Sequence, residues 1–549
     1  MISPSLPQGF PSVQSVSDAL HVSTNARILN GFLLRSILAL LSAGLLTCSL
    51  PNPDMGWLAW IALAPLLIAC DGLSPVRAAS LGFTSGIAAN VMIYHWVFEV
   101  QGFGIHHFLI LSTFFSLFPA VWCAGLSLLH RRRSPLILAA PALWVLLDYM
   151  RAHAGFMAFP WGTLAQTQHK NIAVLQLATI TGEYGITFLV ALGNAALAGI
   201  VLHKTTRHAV LAGLTIALVH LGGGVALLLD RTGPTIRIAA VQPNILLGER
   251  STVDGRALVL ERLSRLTHSA AASNPSLIVW PETAVVGNLQ RNPLLAMELF
   301  ALAQQVRAPI LFGAGEVDKL SRRDAHGTLQ RRAYNSAYVV TPEQGLGTPY
   351  IKRVLMPFGE YVPMEDIIGW PAWLAPPTFQ KVAGERAMSY RLSSGMVFSP
   401  LICWENLFAE LARESVREGS HLLVVLTNDV WFGRTAEPRQ HNLASVLRAV
   451  ENRVPIVMAS NTGPSEIIDS YGRIVAQASR PFSEEIVTGD VKLAPAGTIY
   501  TRFGDVFAFI IIGSLALFTL RYRVSHGSPF GNDADQRNGK NSHLQGGAS

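Results

Sequence analysis

The sequence predicts a polytopic α-helical membrane half of about eight spans joined to an outer α/β domain, an α-β-β-α sandwich. Three observations predict it. Of 549 residues, 50% are hydrophobic and 14% charged, whereas soluble chains carry about a quarter charged residues. The apolar excess, a mean hydropathy of +0.35, is concentrated between residues 28 and 230. Residues 231–497 instead alternate short β-rich runs with helical patterns, the signature of a layered α/β domain.

In chain order, residues 1–27 lack periodicity and the compact basic, apolar and small-residue pattern of a cleaved signal, and read as a flexible tail. Seven apolar runs follow: Phe32–Leu50, Gly56–Cys70, Ala78–Phe98, Phe108–Leu129, Pro135–Leu147, Ile186–Leu202 and Ala209–Leu229. An eighth, Val506–Leu520, lies within residues 498–523. A span needs roughly 20 apolar residues, so Gly56–Cys70, Pro135–Leu147 and Val506–Leu520 require their flanks. Residues 524–549 are polar and Gly/Asn-rich and read as a disordered tail.

Alternate loops carry Arg27, Arg77, Arg131–Arg133, Lys204 with Arg207, and Arg521 with Arg523, while Asn52–Asp54 and Gln101–His107 carry no Lys or Arg. The positive-inside rule makes the first set cytoplasmic. Both termini then lie inside, and the domain between the seventh and eighth runs lies outside, on the periplasmic face of a bacterial inner membrane. The net charge of +7 marks topology and calls for no nucleic acid. Between the fifth and sixth runs, Phe159-Pro160-Trp161-Gly162 and the short apolar piece Ile172–Ile180 suit a re-entrant or interfacial segment, with Trp161 at headgroup level.

In the outer domain the expected strands are Ile236–Val241, Leu277–Trp280, Pro309–Gly313, Ala337–Val340, Met396–Ile402, Leu422–Thr427, Pro455–Ala459, Ile474–Ala476 and Ile486–Val487. The expected helices are Leu258–Ala271, Pro293–Val306, Glu405–Arg417 and Asn442–Asn452. Three motifs sit at strand ends. Glu282 follows Leu277–Trp280 and Pro281, where a carboxylate can face a crevice. Lys352 precedes the apolar stretch that ends in Phe358-Gly359-Glu360. Cys403 stands between Met396–Ile402 and a helix expected from Glu405, whose positive end favours a thiolate. The other cysteines, Cys48, Cys70 and Cys123, lie in or beside apolar runs and read as small buried hydrophobes. No spacing suggests a disulfide framework, a metal site or a nucleotide motif, so no cofactor is expected.

A thiol, a carboxylate that takes its proton and an ammonium that stabilises an oxyanion are the parts of acyl transfer through a thioester. In this order they resemble the Glu–Lys–Cys arrangement of the nitrilase (carbon–nitrogen hydrolase) superfamily, with Glu282 as general base, Lys352 stabilising the intermediate and Cys403 as nucleophile. With the membrane half, the sequence resembles the membrane-bound branch, the apolipoprotein N-acyltransferases. Pro141–Trp144, Phe159–Trp161, Pro281-Glu282, Pro357–Glu360, Cys403–Glu405 and Asn428–Gly433 carry the resemblance.

That resemblance implies a nitrilase-like fold for the outer domain and adds Glu360, Glu405 and the aromatic Trp431 to the site. Two positions depart from the pattern. Trp404 stands where Tyr is expected, keeping a ring but losing the hydroxyl donor. Leu247–Arg250 lacks an expected Lys-Trp pair. The implied reaction takes an acyl chain from a phospholipid, phosphatidylethanolamine, onto Cys403, then passes it to the α-amine of diacylglyceryl-cysteine on an apolipoprotein. The expected partners are those two lipid-anchored substrates, with the protein a monomer.

The apolar segment Ile367–Pro377, with Trp370 and Trp373, reads as a lid that enters the bilayer and receives acyl chains. The alternative on the same triad is a membrane-tethered hydrolase of a small amide or nitrile. A transporter would need intramembrane charges or paired broken helices, whereas Glu99, Asp148 and Glu183 fall at run edges and no internal repeat is visible.

Overall fold

The computed structural model describes residues 13–131, 135–203, 206–229, 233–323, 329–365, 367–371, 373, 380–493 and 497–525. Among the described residues, five helices are long and apolar enough to cross a membrane: Gly31–Cys48, Pro75–Ile93, Ile105–His130, Glu183–Leu202 and Thr206–Leu228. The other three expected runs are shorter or broken. Gly56–Cys70 is divided into Gly56–Leu58, Ala59–Ala62 and Ala64–Cys70, with Pro65 starting the last piece because it has no N–H to extend a preceding turn. Leu136–Ala152 has 17 residues and Val506–Ser525 has 20.

The first helix begins at Val13, so residues 13–27 of the expected tail are helical. Residues 1–12, 526–549, Arg132, Arg133 and Lys204 lie outside the described residues. Between the fifth and sixth runs the chain forms the short helices Ile172–Leu175 and Ala178–Thr181. Trp161 is 2% exposed, packed within the protein. Its ring stacks on Phe159 and on His441 of the α/β domain.

The α/β domain stacks two sheets. The first contains β1 (Thr235–Gln242), β2 (Leu277–Val279), β3 (Val285–Val286), β4 (Ile310–Arg323), β5 (Leu329–Thr341), β6 (Gly345–Leu346), β7 (Tyr350–Ile351) and β14 (Glu485–Lys492), ordered β14-β1-β2-β4-β5-β6 along its main path. The second contains β8 (Tyr390–Arg391), β9 (Val397–Ile402), β10 (Leu422–Thr427), β11 (Ile456–Ser460), β12 (Glu466–Ile468) and β13 (Ile474–Gln477), ordered β13-β12-β11-β10-β9-β8. Strands β1, β2 and β4 run parallel, as do β9, β10 and β11. Parallel central strands are buried on both faces and read as near-continuous apolar runs, as Leu422–Thr427 does.

Ile238, Val279 and Leu311 meet Phe398, Ile402 and Val424 between the sheets. Helices Val253–Ala271 and Pro293–Val306 cover the outer face of the first sheet. Helices Ala409–Arg417 and Glu437–Asn452 cover the second, and their apolar side chains belong to the same cluster as the membrane half. Every residue of Glu437–Asn452 except Arg439 is buried. A helix buried all round has partners on every side; here the sheet takes one face and the membrane half the other.

Polar contacts pin this junction. Gln440 accepts from Trp161 Nε1 (2.9 Å) and Trp96 Nε1 (3.3 Å) and donates to the Pro51 carbonyl (2.8 Å). Arg448, fully buried, pairs with Glu183 (3.1 Å) and Glu451 (2.7 Å) and donates to the Leu407 carbonyl (2.9 Å). Replacing Arg448 with Met leaves both carboxylates buried without their cation, a loss of about 3–5 kcal/mol. Chemical unfolding in detergent, followed by tryptophan fluorescence, should show it; an unchanged midpoint would mean that the network contributes nothing.

Candidate active site

Glu282 leaves the first sheet at the end of β2. Pro281 cannot donate to the ladder, so the strand stops there. The Trp280 indole donates to Thr267 Oγ1 (2.9 Å) and anchors the turn from behind. On β4 only glycine fits at position 313, because a Cβ would fall 2.6 Å from Glu282 Cα. The turn also accepts, at the Thr283 carbonyl, the Arg250 guanidinium. Arg250 comes from the segment in which the expected Lys-Trp pair is missing.

Lys352 follows β7 and is 2% exposed. Its Nζ lies 2.9 Å from Glu360 Oε2 and 3.7 Å from Glu282 Oε1. Asn335 Nδ2, from β5, donates to both carboxylates, at 2.6 Å to Glu282 and 3.0 Å to Glu360. Lys381 Nζ adds a further contact to Glu360 at 2.8 Å, and Met356 N donates to it at 2.9 Å.

Burial alone would lower the Lys352 ammonium, but Glu360, Cys403 and Glu282 outweigh it and hold the group above its ordinary range. Burial would raise the Glu360 carboxyl, yet Lys352 and Lys381 hold it well below the carboxylate range. A depressed carboxyl stabilises the fold above its unfolded pKa, about 4.3, and that contribution fades as pH falls below it. The ion pair therefore persists across the neutral range.

Cys403 ends β9 with φ +55°. It opens a 3-10 turn, Cys403–Leu407, and the α-helix starts only at Ala409. The expected helix-end stabilisation of a thiolate is therefore absent. Burial first, then the Glu282 carboxylate, push the thiol well above its ordinary pKa, against the opposing pull of Lys352.

Glu405, 0% exposed, ties the turn together. It accepts from the amides of Arg353 (2.6 Å), Val354 (3.0 Å) and Ile402 (2.7 Å) and from the Tyr350 hydroxyl (2.9 Å). Its oxygens thus join the Lys352 segment to the Cys403 turn. Trp404 does not leave that link without a donor: its indole N–H donates to the Val354 carbonyl at 2.7 Å.

The structure brings Glu282, Lys352, Glu360, Cys403, Glu405 and Trp404 into one crevice between the sheet ends. Trp431 lies on the neighbouring turn Asp429–Phe432 and is 44% exposed. Of the lid, Ala372 and residues 374–377 lie outside the described residues. Trp370 donates to the Pro363 carbonyl (2.6 Å) and sets its ring edge-on to Phe358. Trp373 meets His106 of the membrane half. Sequence reasoning missed Asn335, Lys381 and Arg250. The only signal for Asn335 was an amide inside a strand-forming run.

Such a crevice can move a proton from thiol to carboxylate beside a fixed ammonium. Glu282→Gln removes one of the charges that raise the Cys403 thiol, so iodoacetamide should label Cys403 faster at pH 8 than in the wild type. Acyl transfer by the same variant should fall by about 10²–10⁴. Labelling at the wild-type rate would show that Glu282 does not act on the thiol.

Residues 42–196 match the family described as apolipoprotein N-acyltransferase N-terminal domain, and residues 237–500 match carbon-nitrogen hydrolase. An apolipoprotein N-acyltransferase of Geobacter metallireducens is 35% identical over 501 residues, covering 88% of this chain and 94% of the relative. One from Gloeobacter violaceus is 31% identical over 506 residues with the same coverage. Among solved structures, an amidase from Nesterenkonia sp. aligns with 49% of this chain and 94% of its own, at 17% identity and a TM-score of 0.35. The nitrilase-superfamily member Nit3 of Saccharomyces cerevisiae aligns with 48% of this chain and 92% of its own, at 20% identity and a TM-score of 0.36. Matched at both halves, and by relatives along most of its length, the chain belongs to the apolipoprotein N-acyltransferase family.

Proposed function

We propose that this protein moves a fatty acyl group from a membrane phospholipid to the N-terminal α-amine of diacylglyceryl-cysteine on an apolipoprotein. The observation that carries it is the crevice of Cys403, Glu282 and Lys352 on a domain whose helical layer shares its core with an apolar helix bundle. In the first stage the Cys403 sulfur attacks the ester carbonyl and its proton passes to Glu282. Lys352 faces the oxyanion as it forms. Collapse breaks the ester bond, and Glu282 returns the proton to the departing lysophospholipid alkoxide, leaving a thioester. In the second stage the α-amine attacks that thioester, Glu282 takes the amine proton and passes it to the departing thiolate. An amide and free Cys403 remain.

Glu360 holds Lys352 in place, Glu405 fixes the turn, and Trp431 is the aromatic of the site. Phosphatidylethanolamine is the proposed donor, and the protein acts as a monomer with no cofactor in this reaction. The alternation of Arg- and Lys-bearing loops supports eight spans, both termini inside and the catalytic domain on the periplasmic side of the inner membrane. Incubation with phosphatidylethanolamine and no acceptor should add one acyl mass to the wild type and none to Cys403→Ala. Neutral hydroxylamine should remove it. Absence of both adduct and lysophospholipid, with turnover of a small amide, would replace this reading with that of an amide hydrolase.

The lid is proposed to receive the acyl chain. Ile367 is 82% and Trp373 55% exposed, an outlay of apolar surface that membrane contact would offset. Removing both rings with Trp370→Ala and Trp373→Ala should slow lysophospholipid release by about tenfold or more, roughly 1.4 kcal/mol. Release at the wild-type rate would exclude that role.

A further inference from the structure

Next to the crevice, at the junction of the two halves, three potential ligands converge. Asp429 comes from the turn after β10, and Glu437 and His441 from the first turns of the helix Glu437–Asn452. Residues four apart on a helix project from one face, so Glu437 and His441 point together toward the Asp429 turn. Donor atoms of the three lie within 4.8 Å of one another. All three residues are at most 2% exposed. His441 Nδ1 lies 3.4 Å from Asp429 Oδ1.

A second observation points to a ligand. Glu437 Oε2 and both ring nitrogens of His441 are buried with no hydrogen-bond partner among the described residues. Buried polar atoms are ordinarily satisfied, and leaving one bare costs about 1–3 kcal/mol. Asp429 itself is oriented, its two oxygens accepting from the hydroxyls of Thr427 (2.7 Å) and Ser460 (3.0 Å). The His441 imidazole is held flat against Trp161, the rings 13° from parallel. Two oriented ligands and one adjustable carboxylate thus face one another with buried polar atoms left unsatisfied.

We propose that Asp429, Glu437 and His441 bind a divalent transition-metal cation of the zinc class. An imidazole with two carboxylates suits such a cation better than calcium or magnesium, which take oxygen ligands. In a tetrahedral shell with bonds of about 2.0–2.1 Å, neighbouring ligand atoms lie about 3.4 Å apart, the His441–Asp429 separation. Two carboxylates, a neutral imidazole and a dication sum to zero charge, which reconciles two acids with a buried site. The cation would fasten the Trp431-bearing turn to the helix that meets the membrane half. That is a positioning role, separate from the acyl-transfer steps.

The test is the metal content of tag-free, full-length protein purified in detergent from zinc-supplemented cells, with Glu437→Gln and His441→Ala alongside. The wild type should hold about one zinc per chain, and each variant at least tenfold less. Stripping the wild type with a chelator should lower its unfolding temperature, and zinc chloride should restore it, with no such response in Glu437→Gln. A wild type without zinc, or with no more than Glu437→Gln, overturns the site. Neither readout needs acyl transfer, so failure here leaves the catalytic proposal standing.

Discussion

One ammonium group sets the charge of the whole crevice. Lys352 is buried beside Glu282 and Glu360; burial would raise the Glu360 carboxyl, and the ammonium holds it down. Its contact with Glu360 and the second lysine on that carboxylate make a compact, nearly closed set of charges. Asn335 then locks the two carboxylates to one amide. Glu282 is the more loosely engaged of the two, at 3.7 Å from the ammonium against 2.9 Å for Glu360. That difference in distance suits Glu360 to hold the lysine and leaves Glu282 freer for the proton transfer proposed above.

The same economy appears in the turn of the nucleophile. Cys403 occupies a left-handed backbone conformation that costs a non-glycine residue about 1–3 kcal/mol. Glu405 holds it there by accepting from three backbone amides drawn from two segments. The strain and its restraint lie within three residues, so the thiol position depends on the Lys352 segment as much as on β9. Ammonium and sulfur are therefore set by one hydrogen-bonded unit.

What could be read from the sequence was what is written locally. β10 was expected at the residues where it lies, and the helix Pro293–Val306 likewise, because an apolar run and a proline at a helix start are local signals. Glu282, Lys352 and Cys403 were legible because each follows a strand. Asn335, Lys381 and Arg448 were not, since their meaning rests on partners brought together only by the fold. Trp404 was misjudged for the same reason: a missing hydroxyl is visible in the sequence, whereas a carbonyl facing an indole N–H is not. That Trp161 packs on His441 and donates to Gln440 was likewise invisible, since both partners lie some 280 residues away in the chain. The membrane half was legible as a class, but composition counts residues and does not show where Pro65 interrupts a helix.

The helix Glu437–Asn452, buried on nearly all sides, has a consequence for how the protein can be divided. Nitrilase-like domains invite treatment as portable modules, to be cut out and expressed alone. In this chain a cut near residue 233 would bare the apolar and tryptophan-capped face of that helix, together with the orphaned Arg448 network. The excised piece would retain its chemistry-bearing strands and yet be a sticky, aggregating fragment. Folding of the catalytic half is thus tied to assembly of the helix bundle, and the enzyme is made whole or not at all.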